Sequence, residues 1–143
     1  ETTGVSGSFQ IINSTNYSKK ELYQTVEKLI ENQFDMVAFA DSHGNLNLLK
    51  EMSKYAEAIK LLEDNSIEWG FHLHDHTGRA VLNYWYLTQT SCNYIDVSAN
   101  GVGKGSGNLK MDYVVMTGST SLLTKIYPEI HRAFQKIAGM MFI

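Results

Sequence analysis

A single cysteine and a single proline in 143 residues set the first limits on this chain. Cys92 has no partner for an internal disulfide, so a disulfide-stapled secreted scaffold is excluded, and a reducing, cytoplasmic setting is the expectation. Pro128 stands alone, and no repeat, low-complexity tract or linker interrupts the chain. No apolar run reaches the roughly 18 residues needed to cross a bilayer, and no signal-peptide pattern opens the sequence. No membrane partner is therefore expected. Charge of one sign is also missing. Twelve Lys and Arg against 15 Asp and Glu leave a net charge of −3, and Lys19-Lys20 is the only adjacent basic pair. A nucleic-acid partner is not expected from such a surface.

What remains has the make-up of an ordinary globule, with 43% hydrophobic and 19% charged residues. The length suits one domain with a sizeable core, so residues 1–143 are read as a single domain. Both ends read as cut. The chain opens at Glu1 rather than Met, and Met140-Met-Phe-Ile143 follows a helix stop at Gly139. The expectation is a piece of a longer protein.

Apolar periodicity predicts alternating strands and helices. Gly4 to Ile12 reads as a strand. Ser18 and Glu21 form a capping box that opens a helix carrying Leu22, Val26, Leu29 and Ile30 at helical spacing. Asp35 to Ala40 is a continuous apolar run, as in a buried parallel strand. Asn45 to Glu63 reads as a helix with Leu48, Leu49, Met52, Ala56, Ile59 and Leu62 on one side. Ile67 to His74 is the third strand, and Arg79 to Gln89 a helix with Val81, Tyr84, Trp85 and Leu87 available for packing. The Tyr84-Trp-Tyr86 cluster is read as core or interface. Tyr94 to Ala99 is the fourth strand. A helix is expected to start near Asn108 or Leu109, and another to span Ser119 to Ala138 with a break at Pro128. Four such units in alternation imply parallel strands joined by right-handed crossovers. Each polar, Gly- or His-bearing segment follows a strand, at the end where parallel α/β folds bind ligands.

Three of those segments carry chemistry. In His72-Leu-His74-Asp75-His-Thr-Gly78, strand alternation turns His72 and His74 to one face. Two imidazoles there make a half-site for a divalent metal. They could equally be two histidines that happen to be spaced by two. Asp75 could orient an imidazole. His76 shares their face only if the strand continues, and Thr77-Gly78 argues that it stops. The second segment, Gly101-Val-Gly103-Lys-Gly105-Ser-Gly107-Asn108, allows positive φ and close backbone approach to a ligand. It matches neither G-x-G-x-x-G nor a P-loop, which disfavours a nucleotide but leaves a small phosphate open. The third, Asp41-Ser42-His43-Gly44, reads either as a substrate-facing rim or as a helix cap supplied by Asp41, Ser42 or Asn45. Cys92 precedes its strand, away from the ligand-binding end, and is read as structural.

Together these segments resemble the metal-dependent aldolase and acyltransferase superfamily called DRE-TIM metallolyases, the HMGL-like group. It includes 4-hydroxy-2-oxovalerate aldolase, isopropylmalate and homocitrate synthases and hydroxymethylglutaryl-CoA lyase. The shared pattern is an Asp-(Thr/Ser)-x-Gly rim, a His-x-His-(Asn/Asp)-x-x-Gly strand end and a Gly-x-Gly-x-x-x-Gly-Asn loop, in that order. The match covers nearly the whole chain. It implies an α/β fold of the (β/α)8 TIM-barrel type, with this chain supplying about the last four βα units as a half-barrel. It implies a divalent metal (Mn, Mg, Zn or Co) held by His72, His74 and Asn108, with Asp75 behind the ligands. Asp41 and Ser42 are then the expected catalytic rim. Ser42, His43, Gly103 and Lys104 are the expected substrate contacts.

The chemistry implied is carbon–carbon bond cleavage or formation beside a 2-oxo acid such as pyruvate, with the metal polarising the carbonyl and stabilising an enolate. The small-molecule partners would be a 2-oxo acid and an aldehyde. The family's Asp-Arg motif on its first strand is missing, as expected of a second half-barrel. The lyase's catalytic cysteine has no counterpart in the 101–108 loop, which argues against hydroxymethylglutaryl-CoA lyase. Asp-Ser at the rim and the run Gly-Ser-Gly-Asn-Leu-Lys look more like the aldolase branch than the synthases. Two alternatives stand beside the aldolase. One is an acyl-CoA condensing synthase of the isopropylmalate or homocitrate type. The other is a non-catalytic half-barrel. Four parallel strands cannot close a barrel, and open edges invite cover. The chain is therefore expected to pair with itself or with an N-terminal half-barrel.

Overall fold

The computed structural model of the chain describes residues 7–116, together with 129 and 132. Four strands form one parallel sheet in sequential order: β1 (Ser8–Ile11), β2 (Met36–Asp41), β3 (Glu68–Leu73) and β4 (Tyr94–Asp96). The helices are α1 (Lys19–Glu31), α2 (Leu48–Asp64), α3 (Ala80–Leu87) and α4 (Met111–Met116). The alternation expected from the sequence is present. The helix expected over Ser119 to Ala138 lies almost wholly outside the described residues.

Local signals account for most boundaries. Ser18 caps α1 by accepting from the backbone N–H of Glu21, and Glu21 reaches back to the N–H of Ser18 (2.8 Å), the full capping box. The α2 core face is Leu48, Tyr55, Ala58, Ile59 and Leu62. Leu49, 67% exposed, and the exposed Ala56 point outward, contrary to the sequence reading. The i+3/i+4 series running through 48, 52, 55, 59 and 62 leaves 49 and 56 about 100° off the buried stripe. Trp85 likewise stands out from α3, whereas Tyr84 and Leu87 pack inward.

Strand alternation divides the sheet into two faces. Ile11, Val37, Phe39, Trp69 and Phe71 point to the helices, where Phe39, Tyr55 and Phe71 meet with ring centroids 5.3–5.4 Å apart. The pairs Gln10–Ala38, Ala38–Gly70, Gly70–Tyr94, Ala40–His72 and His72–Asp96 lie on the opposite face. Gln10 Nε2 donates to Asp96 Oδ2 at 3.0 Å, from the first strand to the last. Strands about 4.8 Å apart would hold β1 and β4 about 14 Å from each other in a flat sheet. The sheet therefore curls, and the face that carries His72 is its concave side. This is the curvature of half a parallel barrel. Among the described residues, no helix is long and apolar enough to cross a membrane.

Candidate metal centre

The two histidines sit where the strand alternation puts them. Their ring centroids are 5.1 Å apart. His72 Nδ1 lies 3.0 Å from Asp96 Oδ2 across the β3–β4 ladder. A carboxylate at Nδ1 draws the ring proton to that nitrogen and leaves the Nε2 lone pair free. Asp96, not Asp75, is therefore the carboxylate that orients an imidazole. Residue 75 falls on the opposite side of the chain from 74, and Asp75 Oδ1 accepts from the backbone N–H of Ala80 (3.0 Å) at the start of α3. Nothing in the sequence singles out Asp96, because its neighbour across the ladder is set by register. The spacing within Tyr94-Ile-Asp96 carries no sign of it.

Beyond the end of β3 the backbone stays extended. His74 pairs with Asn108 in an isolated antiparallel bridge, flanked by Leu109 N–H to Leu73 O and Asp75 N–H to Gly107 O, each 2.9 Å. The bridge brings the far end of the glycine loop against the histidines. Asn108 Nδ2 donates to Val102 O (3.3 Å), while Asn108 Oδ1 and His74 Nδ1 are buried with no hydrogen-bond partner. Buried polar atoms without partners are costly, on the order of 1–3 kcal/mol each, so such a pair in one place marks a site built for something else. Burial, and then the neighbouring His72 and His76, hold His74 below the usual imidazole value, against the pull of the Lys104 backbone carbonyl. The balance favours the neutral ring, the form whose lone pair can bind a metal.

Close backbone approach shapes the rest. A Cβ on Gly103 would lie 2.7 Å from Asn108 Cγ and Oδ1, so only glycine leaves the amide its room. Gly107, at φ +96°, could carry no side chain either, since a Cβ would sit 1.9 Å from Gly101 O. Lys104 is exposed on this loop, and its ammonium lies near enough to His74 to oppose protonation of the ring. His76 also stays with the row. Its ring is 5.1 Å from that of His74, although β3 ends at Leu73.

The rim after β2 is placed differently. Asp41 points to the helix side, only 1% exposed, and accepts from the N–H groups of Asn45 (3.1 Å) and Leu46 (3.2 Å). Burial raises its carboxyl pKa, against the pull of those amides. Ser42 Oγ accepts from Asn13 N–H (2.9 Å), which joins the rim to the loop after β1. His43 is exposed. Of the expected residues, the structure thus brings His72, His74, Asn108, Gly103 and Lys104 together. Asp41 is turned toward the helices.

Among the described residues, no three His, Cys, Asp or Glu side chains converge as a metal cluster. Two imidazoles and one amide oxygen form a partial set of mixed N/O donors, and the two partnerless buried atoms fit a divalent cation. A surface groove of about 540 Å³ lies at the opposite end of the strands, among Phe34, Asp35, Met36, Ser66 and Glu68. It contains none of these donors.

Comparison with known proteins agrees with this layout. The chain is 30% identical over 98 residues to a 4-hydroxy-2-oxovalerate aldolase from Geobacillus genomosp. 3, covering 68% of this chain and 28% of the relative. It is 28% identical over 102 residues to a 2-isopropylmalate synthase from Clostridium kluyveri, covering 69% of this chain and 20% of the relative. Among solved structures, the HMG-CoA lyase of Bacillus subtilis superposes with a TM-score of 0.65 at 20% identity, over 78% of this chain and 41% of the lyase. The chain thus spans 20–28% of the length of these curated relatives. A family model described as HMGL-like matches residues 1–135. With a parallel half-barrel and a strand-end histidine pair already in place, this match is decisive: the chain belongs to the HMGL-like family.

Proposed function

We propose that this chain is the metal-binding half of a divalent-metal-dependent aldolase that cleaves or forms a carbon–carbon bond beside a 2-oxo acid. The observation that carries the reading is the pair of buried, partnerless atoms His74 Nδ1 and Asn108 Oδ1 in one bridge, next to His72. A cation held by His72, His74 and Asn108 would supply a Lewis acid for the 2-oxo carbonyl. Mixed N/O ligation suits Mn, Mg, Zn or Co.

The chain's own groups have distinct tasks. Asp96 holds His72 in one tautomer and one orientation. Gly103 leaves space for the Asn108 amide. Lys104 places positive charge beside His74, where the carboxylate of a 2-oxo acid would be received. Asp41 shapes the rim through the backbone of the 41–46 turn, and Ser42 ties that rim to the loop after β1. His43, exposed on that rim, is proposed to meet the substrate. Two nitrogens and an amide without a carboxylate ligand make a weak site, so full affinity and turnover are proposed to need a further carboxylate from an N-terminal half-barrel.

The test is thermal stability with and without millimolar Mn²⁺, for the parent and for His72→Ala/His74→Ala. A ligand that binds the folded state raises stability by mass action. An upward shift in the parent that vanishes in the double variant supports the metal site, and no shift in the parent overturns it for this chain. The resemblance to a 2-isopropylmalate synthase keeps a condensing enzyme as the second reading. Acetyl-CoA consumption with a 2-oxo acid by the whole protein would select it over the aldolase.

A further inference from the structure

The third histidine of the row is exposed and has no part in the centre as described, yet two loops approach it closely. Gly44, at φ +60° in the loop after β2, approaches so closely that a Cβ would lie 2.6 Å from the backbone nitrogen of His76. Gly105, at φ +67° in the glycine loop, would place a Cβ 2.6 Å from His76 Nε2. His76 Nε2 lies 2.9 Å from Lys104 O. The partner is a carbonyl, so the ring nitrogen must be the donor. The neighbouring hydroxyl of Thr77 donates to Gly44 O. The base of the 101–108 loop is held by backbone bonds to Leu73 and Asp75 (each 2.9 Å). His76 reaches its tip.

We propose that His76 is a positioning residue: held between Gly44 and Gly105, it fixes the tip of the glycine loop, and so sets Lys104 at the end of the histidine row for an anionic ligand. Two loops that come from different strands are thereby tied to the strand end that bears the histidine pair. The inference rests on the aldolase reading in one respect, that the ligand received at the tip carries a carboxylate beside a second oxygen. The anchoring itself is independent of that reading.

The experiment compares the parent with His76→Gln, which keeps an N–H donor at similar reach, and His76→Leu, which does not. Trypsin cleavage of the Lys104–Gly105 bond reports the loop tip. Cleavage after Lys60, within α2, reports global unfolding. Cleavage after Lys104 in His76→Leu is expected to rise roughly three- to tenfold, the range that one hydrogen bond commands. His76→Gln should stay near the parent, and cleavage after Lys60 should be alike in all three. Affinity for oxalate in the presence of Mn²⁺ should fall by a similar factor in His76→Leu and recover in His76→Gln, with Mn²⁺ affinity held within about threefold. Unchanged cleavage after Lys104 in His76→Leu overturns the anchoring. A freed tip with unchanged oxalate affinity overturns the link to the site. If no version binds Mn²⁺, the aldolase reading fails and takes the ligand half with it. The anchoring half then stands or falls on cleavage alone.

Discussion

At the scale of single residues, burial decides what the side chains can do. Cys92 Sγ lies 3.3 Å from Tyr94 O, and burial pushes its thiol up to about 11. Roughly one thiol in a thousand is then ionised at pH 8, against roughly a quarter for a free cysteine. Alkylation by iodoacetamide at pH 8 is expected to run about a hundredfold or more slower in the folded chain than in urea, and to rise with pH. Equal rates would show that the thiol is open to solvent. Asp41 carries the opposite kind of weight, because its carboxylate satisfies two backbone amides of the 41–46 turn. Asp41→Ala should cost about 3 kcal/mol in urea unfolding, since it strands those amides. Asp41→Asn keeps one acceptor and should cost less. Its carboxyl titrates above the ordinary 3.8 in the folded state. The proton-linked part of its contribution is therefore complete below 3.8 and is lost as pH rises through the folded value. The parent's advantage over Asp41→Asn should be largest near pH 4 and shrink toward neutrality. A gap that widened with pH would contradict the burial of this carboxyl.

At the scale of elements, the glycine loop and the strand end behave as one unit. The His74–Asn108 bridge joins them, and Gly103 faces the amide of Asn108. Gly103 has no positive φ to defend, so Gly103→Ala acts only by displacing the Asn108 side chain, a flexible group that can turn away. Unfolding midpoints should move little. Mn²⁺ affinity, read by calorimetry, should fall about 10–100-fold, as when a supporting contact of a metal ligand is lost. Loss of stability without loss of affinity would separate Asn108 from the metal. Elements were the most legible level of the sequence. The capping box marked α1, the apolar run Asp35 to Ala40 marked β2, and the alternation in 67–74 turned both histidines one way. Core selection within α2 was less legible, because the apolar stripe could be drawn through Leu49 or through Tyr55. Only packing against Phe39 and Phe71 chooses the latter.

At the scale of the molecule, the described sheet has two edges, β1 and β4, and a concave face crossed by the Gln10–Asp96 hydrogen bond. A parallel sheet of this kind is normally covered on both sides. The isolated chain is expected to associate, with itself or with an N-terminal half-barrel. Light scattering at micromolar concentration should therefore give a mass above the 16.1 kDa of one chain. A well-folded monomer would mean that the concave face covers itself, with Gln10 and Tyr94 as the cover.

The sequence by itself determined the βα alternation, the strand ends at which the polar and glycine-bearing segments gather, and the histidine pair with its Gly-x-Gly loop. Those follow from periodicity and from the backbone freedom of glycine, which are local properties. The tertiary structure alone decided that Asp96 holds His72 and that His76 stays with the row beyond the end of its strand, tied to the tip of the glycine loop. These depend on register between strands and on loops that approach from other units, and no spacing along a single chain encodes them.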